Sequence, residues 1–447
     1  MSDAPRKGSL LVIFLTVFID LLGFGIVLPL LPIYGQDFAQ QYHLDKGQTG
    51  WLIGLLMSSF SAMQFLFLPV WGRLSDRFGR RPIILIGLTG STVFYAWFGV
   101  AARYHSLVGL FVARIGAGIA GATISTAQAY IADTTSKEGR AKGMALIGAA
   151  FALGFTLGPL IGAGALFIGR QIAESPWPGF VASLMSAAAL ALAFVKLPES
   201  LQPGSAATAR RTLFDRSALQ AALNVPSVGL LLLTSAIAVF SFANFESTLS
   251  VQIERLVKDS AGEEAPLLGW LVETINSSGY ENPEDVAIIV VCAAFAYLGI
   301  ILTLAQGVLV RRLADRLSEG TMAAMGAICA LGGFLLLAAA TVQANFGMLL
   351  GAMAVEVVGF AFVNPSLQSL ISRRSDPEQQ GGILGLAQSA TSLARILGPV
   401  FGLRLFKQSP AWPYYGAAGL MVFALMLIVV SVRSGRDFGV QSSPGTP

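Results

Sequence analysis

Twelve apolar runs of 20 to 27 residues fill most of this 447-residue chain, at 9–35, 49–72, 82–102, 106–132, 143–168, 178–197, 227–250, 286–310, 320–342, 345–371, 381–405 and 412–433. A helix crosses roughly 30 Å of hydrocarbon in about 20 residues, rising about 1.5 Å per residue. In hydrocarbon every backbone N–H and C=O must find its partner within the protein, which favours helices for such runs. The sequence therefore predicts an all-α integral membrane protein with twelve transmembrane helices. Charged residues are 12% of the chain and hydrophobic residues 54%, where a soluble domain carries about 25% charged residues. Two Cys and two His exclude a disulfide framework and a multi-His metal centre, and no metal ligand set is expected. The first run follows Arg6 and Lys7, exceeds the length of a signal-peptide core and lacks a small-residue cleavage site after it, so it reads as a retained span.

The connections carry an uneven charge. One side of the expected membrane holds 20 Lys and Arg residues, among them Arg73, Arg77, Arg80, Arg81, Arg210, Arg211, Arg373 and Arg374, and the other side holds 7. Basic residues favour the cytoplasmic side, so both termini are expected there. The chain divides into an N-terminal six-helix bundle (1–197), a cytoplasmic linker (198–226), a C-terminal six-helix bundle (227–433) with an extracellular insertion (251–285), and a cytoplasmic tail (434–447). Two short repeats support a duplication. Leu74-Ser75-Asp76-Arg77 recurs as Leu313-Ala314-Asp315-Arg316 at an offset of 239, and the Gly158-Pro159 stretch recurs at Gly398-Pro399 at an offset of 240. Paired halves suit a transporter that rocks about a midplane site. The insertion is acidic, and Pro266 to Asn276 is predicted to form an amphipathic helix on the membrane face.

Three motifs give the chain its likeness. After the second run stands Gly72-Arg73-Leu74-Ser75-Asp76-Arg77-Phe78-Gly79-Arg80-Arg81, read as a tight turn between helices. The fifth run contains Gly154-Phe155-Thr156-Leu157-Gly158-Pro159-Leu160-Ile161-Gly162, whose spaced glycines make a smooth packing face and whose proline removes a backbone donor. The first, fourth and eleventh runs add Asp20-Leu21-Leu22-Gly23-Phe24-Gly25, Arg114-Ile115-Gly116-Ala117-Gly118 and Leu393-Ala394-Arg395-Ile396-Leu397-Gly398-Pro399. The first motif resembles the cytoplasmic loop signature of the major facilitator superfamily, and the second resembles the motif of its antiporter branches. The set as a whole resembles the drug:proton antiporter family, particularly its tetracycline-efflux-like members. The resemblance implies the major facilitator fold, two pseudo-symmetric six-helix bundles, and proton-coupled export. It departs from the tetracycline pumps in having no acid in spans three and nine, with Glu246 in span seven and Glu356 in span ten instead. Tetracycline is therefore not the expected solute. Gly116-Ala117-Gly118-Ile119-Ala120-Gly121 matches a dinucleotide fingerprint, but it lies inside an apolar run with no strand before it. With no Gly-Lys dipeptide for a P-loop either, neither nucleotide nor nucleic acid is an expected partner.

Asp20, Arg114, Glu246, Glu356 and Arg395 are charged residues within spans, where an ionisable group costs roughly 2.5–3.5 kcal/mol on insertion scales. Asp20 sits about 16 Å into its helix and Arg114 about 12 Å below the opposite face, so their depths nearly coincide. Apolar surroundings favour a carboxylic acid and a nearby guanidinium favours the carboxylate, and an acid that alternates between the two states needs both influences. Asp20 is expected to be the principal proton site, against the alternative of a fixed ion pair. Arg114 is expected to tune that acid or bind an anionic group, the role an arginine at this motif position has in the resembled family. Glu356 faces either Arg395 or a cationic solute. Glu246, with Asn244, is placed toward the outer end of its span, in a peripheral, gating or coupling role. Gln128, Asn364 and Gln368 either line the inner cavity or bond helix to helix. At the cytoplasmic rim Asp76 is expected to meet the positive end of span eleven, with Asp133 paired to an arginine beside it, locking the halves in the outward-open state.

The reading is a secondary active transporter of the cell membrane (the inner membrane in a bacterium), expected to act as a monomer. It exports a small amphiphilic solute against protons, with no cofactor beyond H⁺ and no enzymatic activity. The alternatives are uptake, transport of a lysolipid or metabolite by the same fold, and a membrane sensor or accessory protein that moves nothing.

Overall fold

The computed structural model describes residues 7–135, 140–168, 175–201, 226–259, 266–280, 282–375 and 380–435. Among these residues all regular structure is helical. The first group comprises α1 (Lys7–Val27), α2 (Leu31–Ala39), α3 (Lys46–Phe78), α4 (Arg80–Arg103), α5 (Leu107–Gly121), α6 (Ile124–Thr134), α7 (Arg140–Leu166) and α8 (Trp177–Lys196). The second comprises α9 (Pro226–Asp259), the short α10 (Pro266–Ser277), α11 (Pro283–Leu304), α12 (Glu319–Val342), α13 (Phe346–Arg374), α14 (Gln380–Gln408) and α15 (Trp412–Ser434). A wider turn at Ala305–Val310 carries α11 on to Ala314. Most of the expected linker and tail lies outside the described residues.

Among the described residues, eleven helical stretches are long and apolar enough to cross a membrane. The remaining predicted span falls on α14, a 29-residue helix whose apolar character is diluted by Arg395, Arg404 and Lys407. The outer faces carry exposed Ile86, Val93, Trp97, Leu184, Phe194 and Leu335. Water would not tolerate so much exposed apolar surface, and a multi-pass membrane protein requires it.

The duplication reaches the backbone. The starts of α4 and α12 are 239 residues apart, as are those of α5 and α13. Ser106 caps α5 by accepting from the Gly109 N–H at 3.0 Å, and Asn345 caps α13 by accepting from the Met348 N–H at 2.8 Å. The residue before each cap is left-handed, His105 at φ 49° and Ala344 at φ 53°. Capping satisfies orphan N–H groups that the membrane interface leaves poorly hydrated.

Two spans run further than the sequence suggested. Gly72–Phe78 are the last two turns of α3, not a loop, and the turn into α4 is made at Gly79, whose φ of 101° favours glycine. Polar Gln252, Glu254 and Arg255 mark an apparent end of span seven, yet α9 continues to Asp259 because Val251, Ile253, Leu256 and Val257 are buried between them. Glu246 therefore lies in the body of α9, 13 residues before its end. The predicted helix of the insertion is present as α10.

Glycine sets the approach of α7 to α1. Gly154 packs on Leu21, Gly158 on Gly25 and Gly162 on Ile26. The neighbouring Thr156 backbone faces Gly299 of α11, and its hydroxyl lies 3.0 Å from that of Thr303. Between α3 and α14, Gly50 and Gly54 rest on Leu403, Pro399 and Val400, and the Ser58 hydroxyl donates to the Ile396 carbonyl. These contacts join the first helix group to the second. A methyl group at Gly158 would sit 2.6 Å from Gly25 Cα, so Gly158→Val is expected to force α1 and α7 apart. Overpacking of this kind costs about 1–3 kcal/mol, read as a lower unfolding temperature in detergent, while Gly164→Ala serves as the neutral control.

Candidate functional site

Asp20 belongs to the middle of α1 and faces the interior of the first helix group. The Ser186 hydroxyl of α8 donates to its Oδ1 at 3.3 Å, and Ser91 of α4 sits beside it. The carboxylate is partly exposed to a cavity of about 40 Å³ lined also by Thr16, Phe24, Phe60, Gln64 and Tyr95. That is room for about one water molecule. Among the residues lining this cavity, all come from the first half, so Asp20 faces neither lipid nor the second half.

Arg114 is 2% exposed on α5. Its guanidinium lies over the Phe60 ring at 4.7 Å and the Phe24 ring at 5.8 Å, and Nη2 donates to the Met57 carbonyl at a long 3.5 Å. Nε and Nη1 are buried without a hydrogen-bond partner. The expected nearness in depth holds, but no ion pair joins Arg114 to Asp20 among the described residues. Buried Tyr95 of α4 lines the Asp20 cavity and lies near Arg114 as well. The serines of α4 and α8 were not anticipated. Ser91 and Tyr95 share one face of α4 at four-residue spacing, the only signal of their role in the sequence.

In the second half Arg395 of α14 and Arg114 of α5 are the cations in the neighbourhood of Glu246, and Glu246 is itself in the neighbourhood of Glu356. Glu356 is 1% exposed. Of the two partners expected for Glu356, Arg395 forms no ion pair with it among the described residues, and Oε2 of Glu356 has no hydrogen-bond partner. Asn244 is a packing residue: its amide donates to the Pro413 carbonyl at 3.2 Å, tying α9 to α15, and it fills the space left by Gly402 of α14. Asn364 and Gln368 are half-buried on α13, and Gln128 is exposed on α6.

At the Gly72–Arg81 end, Arg80 is the organising residue. Its guanidinium pairs with Asp76 one turn back on α3 and, through Nε at 3.0 Å, with Asp133 of α6, and it also donates to Ser75 at 2.8 Å. The Glu199 carboxylate, which follows α8, accepts from the backbone N–H groups of Arg80 at 2.9 Å and Arg81 at 3.1 Å and so caps α4. Negative charge is stabilised at a helix N-terminus. Arg81 donates to the Phe194 carbonyl, and Arg77 is exposed beside the Phe78 ring. Asp76 thus has Arg80 of its own half as a partner, and its expected contact with the start of span eleven lies outside the described residues. Residues 376–379 before α14 lie outside the described residues.

The opposite end holds a cluster the sequence reading missed. Gln36 of α2 donates to both oxygens of Glu254 at 3.3 Å and accepts from Lys407 of α14, while Lys258 pairs with Glu254 at 2.9 Å and with Glu284 at 3.5 Å. Each residue stands at a helix end, where polar side chains are ordinary, so nothing in the pattern set them apart. They close the two halves on each other at this end.

The model of the Major Facilitator Superfamily matches residues 13–399 and 265–443. The tetracycline resistance protein, class C, of Escherichia coli is 30% identical over 96% of this chain and 97% of its own length. The class B protein of Escherichia coli is 26% identical over 92% of each. The crystal structure of the human organic anion transporter MFSD10 (TETRAN) superposes with a TM-score of 0.63 at 25% identity, covering 95% of this chain and 100% of that one.

Replacing Arg80 by Ala would leave Asp76 and Asp133 close together without their shared cation. Breaking a largely buried ion pair from one side costs about 3 kcal/mol or more, so a clear drop in unfolding temperature is expected. Arg80→Lys, which keeps the charge and loses the fork, should fall between the two. A melting temperature unchanged in Arg80→Ala would show that the cluster does not hold α3, α4 and α6 together.

Proposed function

The chain belongs to the major facilitator superfamily of transporters, and on that premise we propose that it exports small amphiphilic solutes in exchange for protons by alternating access. The observation that carries the proposal is Asp20: an acid within a span, partly exposed to a small internal cavity, bonded to a neutral hydroxyl and not tied to a cation. Such a group can gain or lose H⁺ without breaking an ion pair. The likeness to proteins named for tetracycline resistance supports export as the direction.

In this reading the protein is a monomer in the cell membrane, with both termini and the Gly72–Arg81 end in the cytoplasm and α14 completing twelve spans. The conformation has its halves closed at the outer end through Gln36, Glu254, Lys407 and the α3–α14 contact. A solute enters between the halves from the cytoplasm. Protonation of Asp20 favours one orientation and solute binding after its deprotonation favours the other. Arg114, over the Phe24 and Phe60 rings that line the Asp20 cavity and in the neighbourhood of Glu246, couples the two sides through charge. Arg80, gripping Asp76 and Asp133, keeps the cytoplasmic ends of the first half rigid while the halves rock. The outer cluster must separate in each cycle.

The test uses everted membrane vesicles with an acidified lumen and an amphiphilic dye. The wild-type protein should accumulate the dye when ΔpH is imposed. Asp20→Asn, expressed at the same level, should lower the rate at least about tenfold, the worth of one hydrogen bond to a charged group. Undiminished ΔpH-driven accumulation in Asp20→Asn would overturn the proposal.

A further inference from the structure

Phe242 of α9 and Phe360 of α13 stack face to face, with ring centroids 4.0 Å apart and 19° between their planes. α9 and α13 are separated in the chain by α11 and α12, so successive hairpins make them antiparallel. Glu246 follows Phe242 by four residues, and Glu356 precedes Phe360 by four. Opposite offsets on antiparallel helices bring the two acids to one level, a single turn beyond the stacked rings toward the outer end. Glu246 accordingly lies in the neighbourhood of Glu356.

Neither acid is fully satisfied. Glu356 is 1% exposed and its Oε2 has no hydrogen-bond partner; Oε1 of Glu246 is likewise buried and unpartnered. The cations of the region, Arg395 and Arg114, act on Glu246. The groups that face Glu356 are Glu246 from α9 and the Cys329 thiol of α12, which donates to the Val355 carbonyl at 3.2 Å. Neither acid is in an ion pair among the described residues, and the charged neighbour of Glu356 is an acid. A structural ion pair would leave no such remainder.

We propose that Glu246 and Glu356 form a binding site for a monovalent organic cation, with Phe242 and Phe360 as its floor. The positive group would lie between the carboxylates, and the rings one turn below would offer aromatic surface to its apolar substituents. In the conformation seen here the stack separates the acids from the cytoplasmic side, so the rings must part to admit the cation. The inference rests on the antiport reading only in taking this cation as the charged end of the exported solute.

The experiment uses the purified full-length protein in detergent, with tetraphenylphosphonium as probe and tetraphenylborate as its anionic counterpart of the same shape. A hydrophobic carbodiimide should label Glu356 in mapped peptides, and tetraphenylphosphonium, but not tetraphenylborate, should protect it. Glu356→Gln, checked for wild-type elution and melting, should weaken tetraphenylphosphonium binding by about tenfold or more. Should that variant fail to fold, protection of the wild-type protein decides alone. Label at Glu356 that tetraphenylphosphonium does not block, or equal protection by the anion, overturns the cation site and leaves the Asp20 antiport reading standing. Specific protection without ΔpH-driven dye accumulation supports the cation site and overturns the antiport reading instead.

Discussion

Hydrocarbon offers no hydrogen bond to a polar group, and every feature of this molecule answers to that condition. It makes the backbone helical. It also removes the drive that buries apolar side chains in water, so helices must be held by close van der Waals contact and by the few polar bonds available. The glycines of α7 against α1, and those of α3 against α14, are the places where backbones come close enough for such contact. The first joint builds a half, and the second joins the halves.

The same condition gives the buried charges their meaning. A lone ionised side chain in this setting is costly, so each one either has partners or has work. Arg80 has partners on three elements, two acids and a hydroxyl. Asn244, neutral but buried, is consumed in packing. Arg114, Glu246 and Glu356 each keep a buried polar atom without a hydrogen bond, Asp20 is bonded to a hydroxyl and not to a cation, and all four lie in the body of the bundle away from both rims. Polar strength at the two ends of the molecule is arranged differently. One rim ties helices of the first half together, the other ties one half to the other, and only the second kind of bond has to break when the halves rock.

Several of these points could be read in the chain itself. The helical membrane class followed from the length and purity of the apolar runs. The family likeness followed from the Gly72–Arg81 and Gly154–Gly162 strings, and the five charged positions were plain because charges are so few. What resisted reading was partnership. Sequence spacing placed Asp20 and Arg114 at similar depths, but depth leaves rotation about the helix axis open, and rotation turned Asp20 toward Ser91 and Ser186 and Arg114 toward Phe24 and Phe60. For the same reason spacing left Glu356 open between Arg395 and a cationic solute.

By itself the sequence determined what local composition controls: which stretches cross the membrane, where Gly79 must turn the chain, and where Ser106 and Asn345 start their helices. Hydrophobicity, capping and glycine freedom act within a few residues and need no distant partner. Only the tertiary structure decided that Arg80 serves two acids, that α9 outruns its polar residues to Asp259, and that Glu246 and Glu356 meet on one level. Those outcomes depend on helix rotation and on contacts between segments tens to hundreds of residues apart, which one-dimensional spacing does not fix.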